Sequence, residues 1–572
     1  MNYIDNIEIK TKPLFQGLMG TATVASVFAA IAAVLLIVNA YYNEKVIPQI
    51  DEQLHQLQKQ FDLRPSDETL AGQIRTLDAK LRRDELRCQE FGQTGAVYFI
   101  VSLLVSAAAF AIARLMLRPS PTVPTGAVCS GLSVQRAMQV RTATTIICAV
   151  IAAVALYMTL RHTASSKPAN SAASMDWSQQ LEGQWPSFRG PWGNGVAAQK
   201  DIPSEWNEKE NKNMLWKSAV PLASKSSPIV WGDKIFLSGA IKDEQKIFCY
   251  STKDGNLLWT GQIKPAGTEG RTPPDIMEET GFASNTPVTN GRYVCAIYAT
   301  GDIGCFDVDG KVQWQKALGI PESTYGYAAS LAVFNDFVIV QFDQGSEEGK
   351  SELIAINLSD GNTAWRTKRP TPNTWTSPTV VKIESGYRIL ASGSPWVMAY
   401  EPLTGRELWK ASCLGSDIAP TQIMAAGLVL AIQPYDKIYA IRMDNSGGDV
   451  TETAIAWQTQ GDMPDICSPV SDGKLVWTLT SNGTLSCFDL ADGKEVYKQS
   501  LEGEFDASPS VVGDKLLYIL GRNGQMIIAQ TGREFKEIMR CAVEEDCFAS
   551  PAFGEGRIYL RSTKSLYCIG QK

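Results

Sequence analysis

The chain has 572 residues, with 60 Asp and Glu against 53 Lys and Arg and a net charge of −7. That length exceeds one ordinary core, and the acidic balance excludes nucleic acid as the main partner, because phosphate binding needs a basic footprint. Composition is uneven: all 14 Trp lie at or beyond Trp177, whereas the first 175 residues are rich in Ala, Val, Ile and Leu.

Three apolar runs come first, at about residues 14–42, 91–113 and 142–160. Each supplies about 20 apolar residues, enough to cross a hydrocarbon layer of ~30 Å. They predict three transmembrane helices and a membrane anchor over residues 1–161. Lys10 and Lys12 precede the first run, and the loop from Arg114 to Arg141 has four Arg and no acid. Both features favour the cytoplasmic side, although the loop between the first two runs mixes eight basic with ten acidic residues. The expected orientation places the N-terminus inside and the C-terminal region on the extracytoplasmic side.

Between the first two runs, residues 43–90 read as a helical hairpin. Val46, Ile50, Leu54, Leu57 and Phe61 recur at helical spacing, Pro65 breaks the pattern, and Leu70, Ile74, Leu77 and Leu81 resume it. Residues 162–184 read as a flexible linker. Residues 185–212 follow as a lead-in that contains "WPSFRGPWGNGV".

From residue 213 to 572 the chain repeats itself. Asp-Gly or Thr-Gly is followed four residues later by an aromatic, giving Trp259, Trp314, Trp365, Trp409 and Tyr497, with weaker copies at Trp457 and Phe535. A second mark, usually Ser-Pro or Thr-Pro before an apolar run, occurs eight times ("SSPIV", "NTPVT", "ASLAV", "TSPTV", "APTQI", "CSPVS", "ASPSV", "ASPAF"), or 45 residues per unit over 360 residues. Each unit holds short β-rich runs separated by Gly-Asp and Asp-Gly turns. The predicted fold is therefore an all-β eight-bladed propeller of four-stranded antiparallel blades. The last unit has room for only three strands, and "NMLWKSAVP" with Trp216 has no blade of its own. This predicts an N-terminal strand that closes the last blade, with Trp185, Phe188 and Trp192 pinning the lead-in to blade surfaces and Arg189 tethering it.

The motif Ala/Cys-x-Asp/Asn-x-x-Thr/Asp-Gly-x-x-x-Trp resembles the tryptophan-docking repeat of pyrroloquinoline quinone (PQQ)-type propellers. That family includes quinoprotein dehydrogenases and the non-enzymatic propeller lipoprotein of the outer-membrane barrel assembly machinery. The lead-in is similar to that of membrane-anchored PQQ-like repeat proteins of planctomycete-type bacteria. The resemblance implies the fold over about 360 residues, and either catalysis with PQQ and Ca²⁺ or scaffolding.

The residues favour scaffolding. Neither His55 nor His162 lies in the repeats, which removes Ser-His-Asp chemistry and His-ligated zinc from them. The 12 Cys include no adjacent pair of the kind the quinoprotein dehydrogenases carry. Cys249, Cys305, Cys487 and Cys568 fall in third strands where other units have Ala355 or Ala399, so they read as small buried residues. Pairing of Cys541 with Cys547 is left open. No catalytic, cofactor or metal residue is assigned.

Residues before the Ser-Pro mark should surround the channel mouth. Lys225, Phe282, Ser284, Tyr327, Trp375, Asp417, Asp465, Asp506 and Phe548 are the candidates there. The expected function is a non-catalytic protein-binding or scaffold module with an envelope protein as partner. The alternatives are a PQQ- or metal-dependent oxidoreductase, or a binder of envelope polymers through rim aromatics such as Trp375.

Overall fold

The computed structural model describes residues 2–46, nine positions between 95 and 110, and residues 177–571 apart from 200, 269–271, 273, 347–348, 416, 445–446 and 514. The chain divides into two units, Met1–Ala172 and Ala173–Lys572.

In the first unit a helix spans Asn2–Tyr41 and continues into a π-helical turn at Tyr42–Val46. Its Gly17–Tyr41 portion, 25 residues, is long and apolar enough to cross a membrane. Of the three expected spans, one such helix is present among the described residues. The 142–160 run and hairpin residues 47–90 lie outside the described residues. The 91–113 run contributes nine described positions, all helical. The first helix itself extends N-terminally past Pro13 to Asn2. Its outward side chains are apolar, with Val24 70% and Ile37 69% exposed, while the buried ones are Ala22, Ala29 and Ala32. Ser106 hydroxyl lies 2.7 Å from that of Ser26 and donates to the Ala22 carbonyl at 3.2 Å.

The second unit is a ring of eight sheets. Blade 1 contains Ile229–Trp231, Lys234–Ile241, Glu244–Ser251 and Leu257–Gln262, and the remaining blades repeat that order. Inner and middle strands are buried on both faces because each blade is sandwiched between two others. This is why Tyr293–Ile297 and Leu516–Leu520 read as unbroken apolar runs. Outer strands alternate with solvent, as in Thr363–Lys368.

The final blade has three strands of its own, Ala552–Gly554, Arg557–Arg561 and Ser565–Gly570, and Met214–Ala219 supplies the fourth. Trp216 pairs with Cys568 and Ala219 with Ser565 in an antiparallel register. The predicted closing strand is thus in place.

Each docking aromatic sits opposite a small residue across a β-bulge: Trp259 faces Cys249, Trp314 Cys305, Trp365 Ala355, Trp409 Ala399, Trp457 Ala440 and Tyr497 Cys487. The ring then packs on the turn of the next blade. A Cβ at Gly310 would meet Trp259 at 2.7 Å, and one at Gly361 would meet Trp314 at 2.7 Å. The indoles donate to carbonyls of the same turns, Trp259 to Val308 at 3.0 Å and Trp314 to Leu358 at 2.8 Å. Tyr497 instead meets Phe535 of blade 7, ring centres 6.4 Å apart. Blade 5 departs from the pattern: Gly448–Asp449 runs parallel beside Trp409–Lys410, and a helical turn at Thr451–Ala454 precedes the outer strand.

A ring of hydroxyls ties the blades together near the axis. Ser227 N–H donates to Thr286 Oγ1, Thr286 to Ser330, Ser330 to Ser377, Ser377 to Thr421, Thr421 to Ser468, Ser468 to Ser508 and Ser508 to Ser550, all at 2.9–3.1 Å. This is the physical reason a Ser or Thr precedes the apolar mark: it satisfies a buried amide of the preceding blade.

The expected linker is shorter than its 162–184 bounds. Trp177 and Leu181, one helical turn apart, are buried, and Trp177 meets Phe334 of blade 3 edge-on at 6.4 Å. The lead-in then crosses several blades. Trp185 bridges Val230 of blade 1 and packs edge-on against Phe553 of blade 8. Pro186 O accepts from Thr289 N at 3.0 Å in blade 2, and Trp192 stacks on Tyr387 of blade 4. Phe188 faces blades 3 and 4 around Val333 and Val380. Val196–Ala197 adds a parallel strand to Val511–Val512 of blade 7. Arg189, with a left-handed φ of 59°, is fully buried and donates to Pro509 O at 3.1 Å, so the tether and pins are as expected.

Candidate functional site at the channel mouth

The candidate rim residues lie in the connections that lead from each outer strand into the next inner strand. Three of them, from separate blades, meet. Lys225 Nζ stands 4.9 Å from the Phe548 ring centre, and the guanidinium of Arg522 lies 5.6 Å from it. Arg522 grips Asp506 through two bonds, Nε–Oδ2 at 3.1 Å and Nη2–Oδ1 at 2.8 Å, and also contacts Glu504. Lys225 Nζ donates in addition to the carbonyl of Glu279, so the long insertion after blade 1 leans onto this cluster. Burial lowers the Lys225 pKa, against the opposing pull of Asp506.

A second group is aromatic. Trp375 meets Tyr325 edge-on at 5.0 Å and donates to Ser323 Oγ at 3.4 Å. Tyr327 is buried and stacks on Phe342 at 5.6 Å. Phe282 and Ser284 are half-buried, and Ser284 Oγ makes no hydrogen bond.

The remaining candidates stand apart from both groups. Asp465 accepts from Ser481 N and Oγ at 3.4 and 2.9 Å. Asp417 is exposed with a φ of 57°. Pro420 precedes an apolar run as the marked prolines do, but the hydroxyl ring runs through Thr421, which makes Gln422 their counterpart. Asp417 is therefore two residues farther out than its supposed equivalents.

Arg522 has no signal in the repeat pattern, because it comes from the hairpin between the second and third strands of blade 7. Only the fold brings that hairpin over Phe548.

A quinone with Ca²⁺ requires clustered oxygen ligands. Among the described residues no group of three His, Cys, Asp or Glu side chains is placed to hold a metal ion. The rim acids are committed elsewhere, Asp506 to Arg522 and Asp465 to Ser481.

An eight-bladed ring with tryptophan docking and a closing N-terminal strand defines a PQQ-type propeller. Residues 198–325, 308–499 and 481–569 match the family model described as outer membrane protein assembly factor BamB, and the chain belongs to that family. No curated protein matches it. Solved structures similar in fold include BamB from Moraxella catarrhalis, at 13% identity and a TM-score of 0.46, covering 62% of this chain and 98% of that one. A europium-containing methanol dehydrogenase shares 12% identity at a TM-score of 0.49, covering 68% and 92%. The quinohemoprotein alcohol dehydrogenase from Comamonas testosteroni shares 12% at 0.47, covering 70% and 83%.

Proposed function

We propose that the chain is a membrane-anchored, non-catalytic scaffold of the cell envelope that receives a protein partner at its channel mouth. The observation that carries this reading is the cluster of Lys225, Phe548, Arg522 and Asp506. Arg522 is paired with Asp506, and both Arg522 and Lys225 lie over a half-buried aromatic, Phe548. Aromatic and Arg side chains of this kind anchor protein interfaces. A catalytic site would instead leave an acid or base free to exchange protons with substrate. The family description, an assembly factor of the outer membrane, supports a protein partner.

The apolar exterior of Gly17–Tyr41 supports the anchor, since a helix with alanines inward and Val and Ile outward is suited to lipid. The propeller would face the periplasm from the inner membrane. A reporter fused after Lys572 tests this, and activity confined to the cytoplasm would overturn it.

The partner is tested by in-cell photo-crosslinking from position 548. A control probe at Leu403 lies in a turn at the other end of the blades. The expected result is one dominant envelope protein from position 548 only, lost in Arg522→Ala. Equal crosslinking from both positions would sink the reading, as would alcohol oxidation on adding PQQ and Ca²⁺.

A further inference from the structure

Blade 2 breaks a packing rule that the other blades keep. The third-strand residue that faces the docking aromatic is small in most blades, and the residue opposite it on the second strand fills the space. That second-strand residue is Phe236, Trp477 or Tyr559 where the third strand has Cys, and Ile339, Leu390 or Leu430 where it has Ala. Blade 7 pairs Tyr518 with Ile528. In blade 2 the pair is Cys295 and Cys305, both fully buried. A small residue where others are large forfeits packing, so core filling does not account for Cys295.

The register brings the two thiols to one face. Val308 N–H donates to Arg292 O at 3.1 Å and Tyr298 N–H to Asp302 O at 3.0 Å, which makes 292–308 and 298–302 the hydrogen-bonded pairs. Alternation along the ladder then leaves 295–305 a non-hydrogen-bonded pair, the type whose Cα atoms lie about 4.5 Å apart. Disulfides need a Cα separation of about 4.4–6.8 Å, so side-chain rotation closes the bond without moving the strands.

Cys305 is also tied to the next blade. Its S–H donates to Leu358 O at 3.3 Å, the same carbonyl that receives the Trp314 indole at 2.8 Å. Burial pushes the Cys295 thiol well above its ordinary pKa, and the Cys305 thiol beside it adds to the push. Thiolate is scarce in the folded chain, and exchange begins when the hairpin opens.

We infer that Cys295 and Cys305 are a redox-modification site, a resting dithiol that closes to a cross-strand disulfide. One cysteine attacks the S–S bond of a disulfide oxidant, and the second displaces the oxidant's remaining sulfur. One S–S bond forms in blade 2 and one breaks in the oxidant, which leaves as two thiols carrying both electrons and both protons. Closure withdraws the Cys305 donor from Leu358 O. The inference does not depend on the scaffold reading.

The test uses the full chain in lipid nanodiscs, reduced and then incubated with oxidised glutathione, in buffer and in urea below the unfolding midpoint. Samples are acid-quenched, unfolded, alkylated and digested for mass spectrometry. A peptide joining Cys295 to Cys305, lighter by two hydrogens than its parts, is expected as the dominant linkage within the propeller. It should form at least about tenfold faster in urea, which favours opening, and dithiothreitol should reverse it. Cys305→Ala installs the alanine of blades 3, 4 and 5, and Cys295→Leu the leucine of blades 4 and 5. Both should fold and lose the linkage; if Cys295→Leu lowers Tm, Cys305→Ala carries the control alone. Alkylation of both cysteines after the urea incubation, or a dominant Cys541–Cys547 linkage, would overturn the inference. Equal rates with and without urea would refute the sealed dithiol.

Discussion

Trp216 lies directly against Gly255, where a Cβ would come within 2.5 Å of the indole, and its Nε1 donates to Thr252 O at 3.0 Å. Trp216 belongs to the strand that completes blade 8, and Gly255 belongs to blade 1, so this contact is the seam of the ring. Ser218 reinforces it with a bond to Gly255 O at 2.6 Å.

Gly255→Ala should therefore cost more than an alanine at a comparable glycine that meets nothing. Gly427 serves as the control, since it has a φ of +79° and open space around its Cβ position. Both replacements incur the left-handed penalty of about 1–2 kcal/mol. Only Gly255→Ala must also displace Trp216 and Ser218, adding ~1–3 kcal/mol. Urea midpoints measure the difference, and equal midpoints would refute the seam's importance.

The seam also predicts a pH dependence. Glu545 accepts from Ser562 and Ser565 of blade 8 and pairs with Lys217 of the closing strand at 2.9 Å. Burial alone would raise its pKa, but these partners outweigh it and hold the carboxyl at about 2, down from an ordinary 4.5. A depressed folded pKa stabilises above the unfolded value and loses that contribution as pH falls. Tm should thus decline between about pH 4.5 and 2, and Glu545→Gln should flatten that part of the profile.

Asp343→Ala should be among the most damaging single changes. Asp343 and Arg369 are both fully buried and joined at 2.8 and 3.2 Å, with Gln341 and Thr374 also donating to the carboxylate. Removing one partner strands a buried guanidinium, at ~3–5 kcal/mol. Asp343→Leu combined with Arg369→Met should recover much of that loss in a thermal melt; no recovery would mean the pair's role is not electrostatic.

Deleting residues 185–206 should lower the Tm of the whole propeller, because Trp185 joins blades 1 and 8, Trp192 blade 4, and Arg189 with Val196 blade 7. Unchanged melting would reduce the lead-in to a ligand-binding appendage.

The nine cysteines among the described residues are all free, including Cys541 and Cys547. Reductant should leave the melting curve unchanged, and thiol titration of the unfolded chain should count at least these nine.

Much of the propeller was readable in advance because its signals are local and repeated. A turn glycine, an aromatic four residues on and a small residue opposite each recur at a fixed spacing. The closing strand followed from simple counting. What was missed depends on contacts distant in sequence or on register. Arg522 reaches the rim through a hairpin that carries no repeat signal. Pro420 imitated a marker that the hydroxyl of Thr421 shows to be displaced by two residues, which moved Asp417 outward. Trp177 and Leu181 looked like the end of a linker because a pair of apolar residues is too short a pattern to announce a docked turn.

The pairing of Met214–Ala219 with Ser565–Gly570 also governs the order of events during biosynthesis. The first strand of the propeller to leave the ribosome has as its partner the last one, so it must wait for nearly the whole domain. Until residue 570 emerges, the closing strand and the open flank of blade 1 both present unpaired edges. That interval is the most vulnerable in the protein's lifetime, and a chaperone or protease acting on this chain would find its opening there.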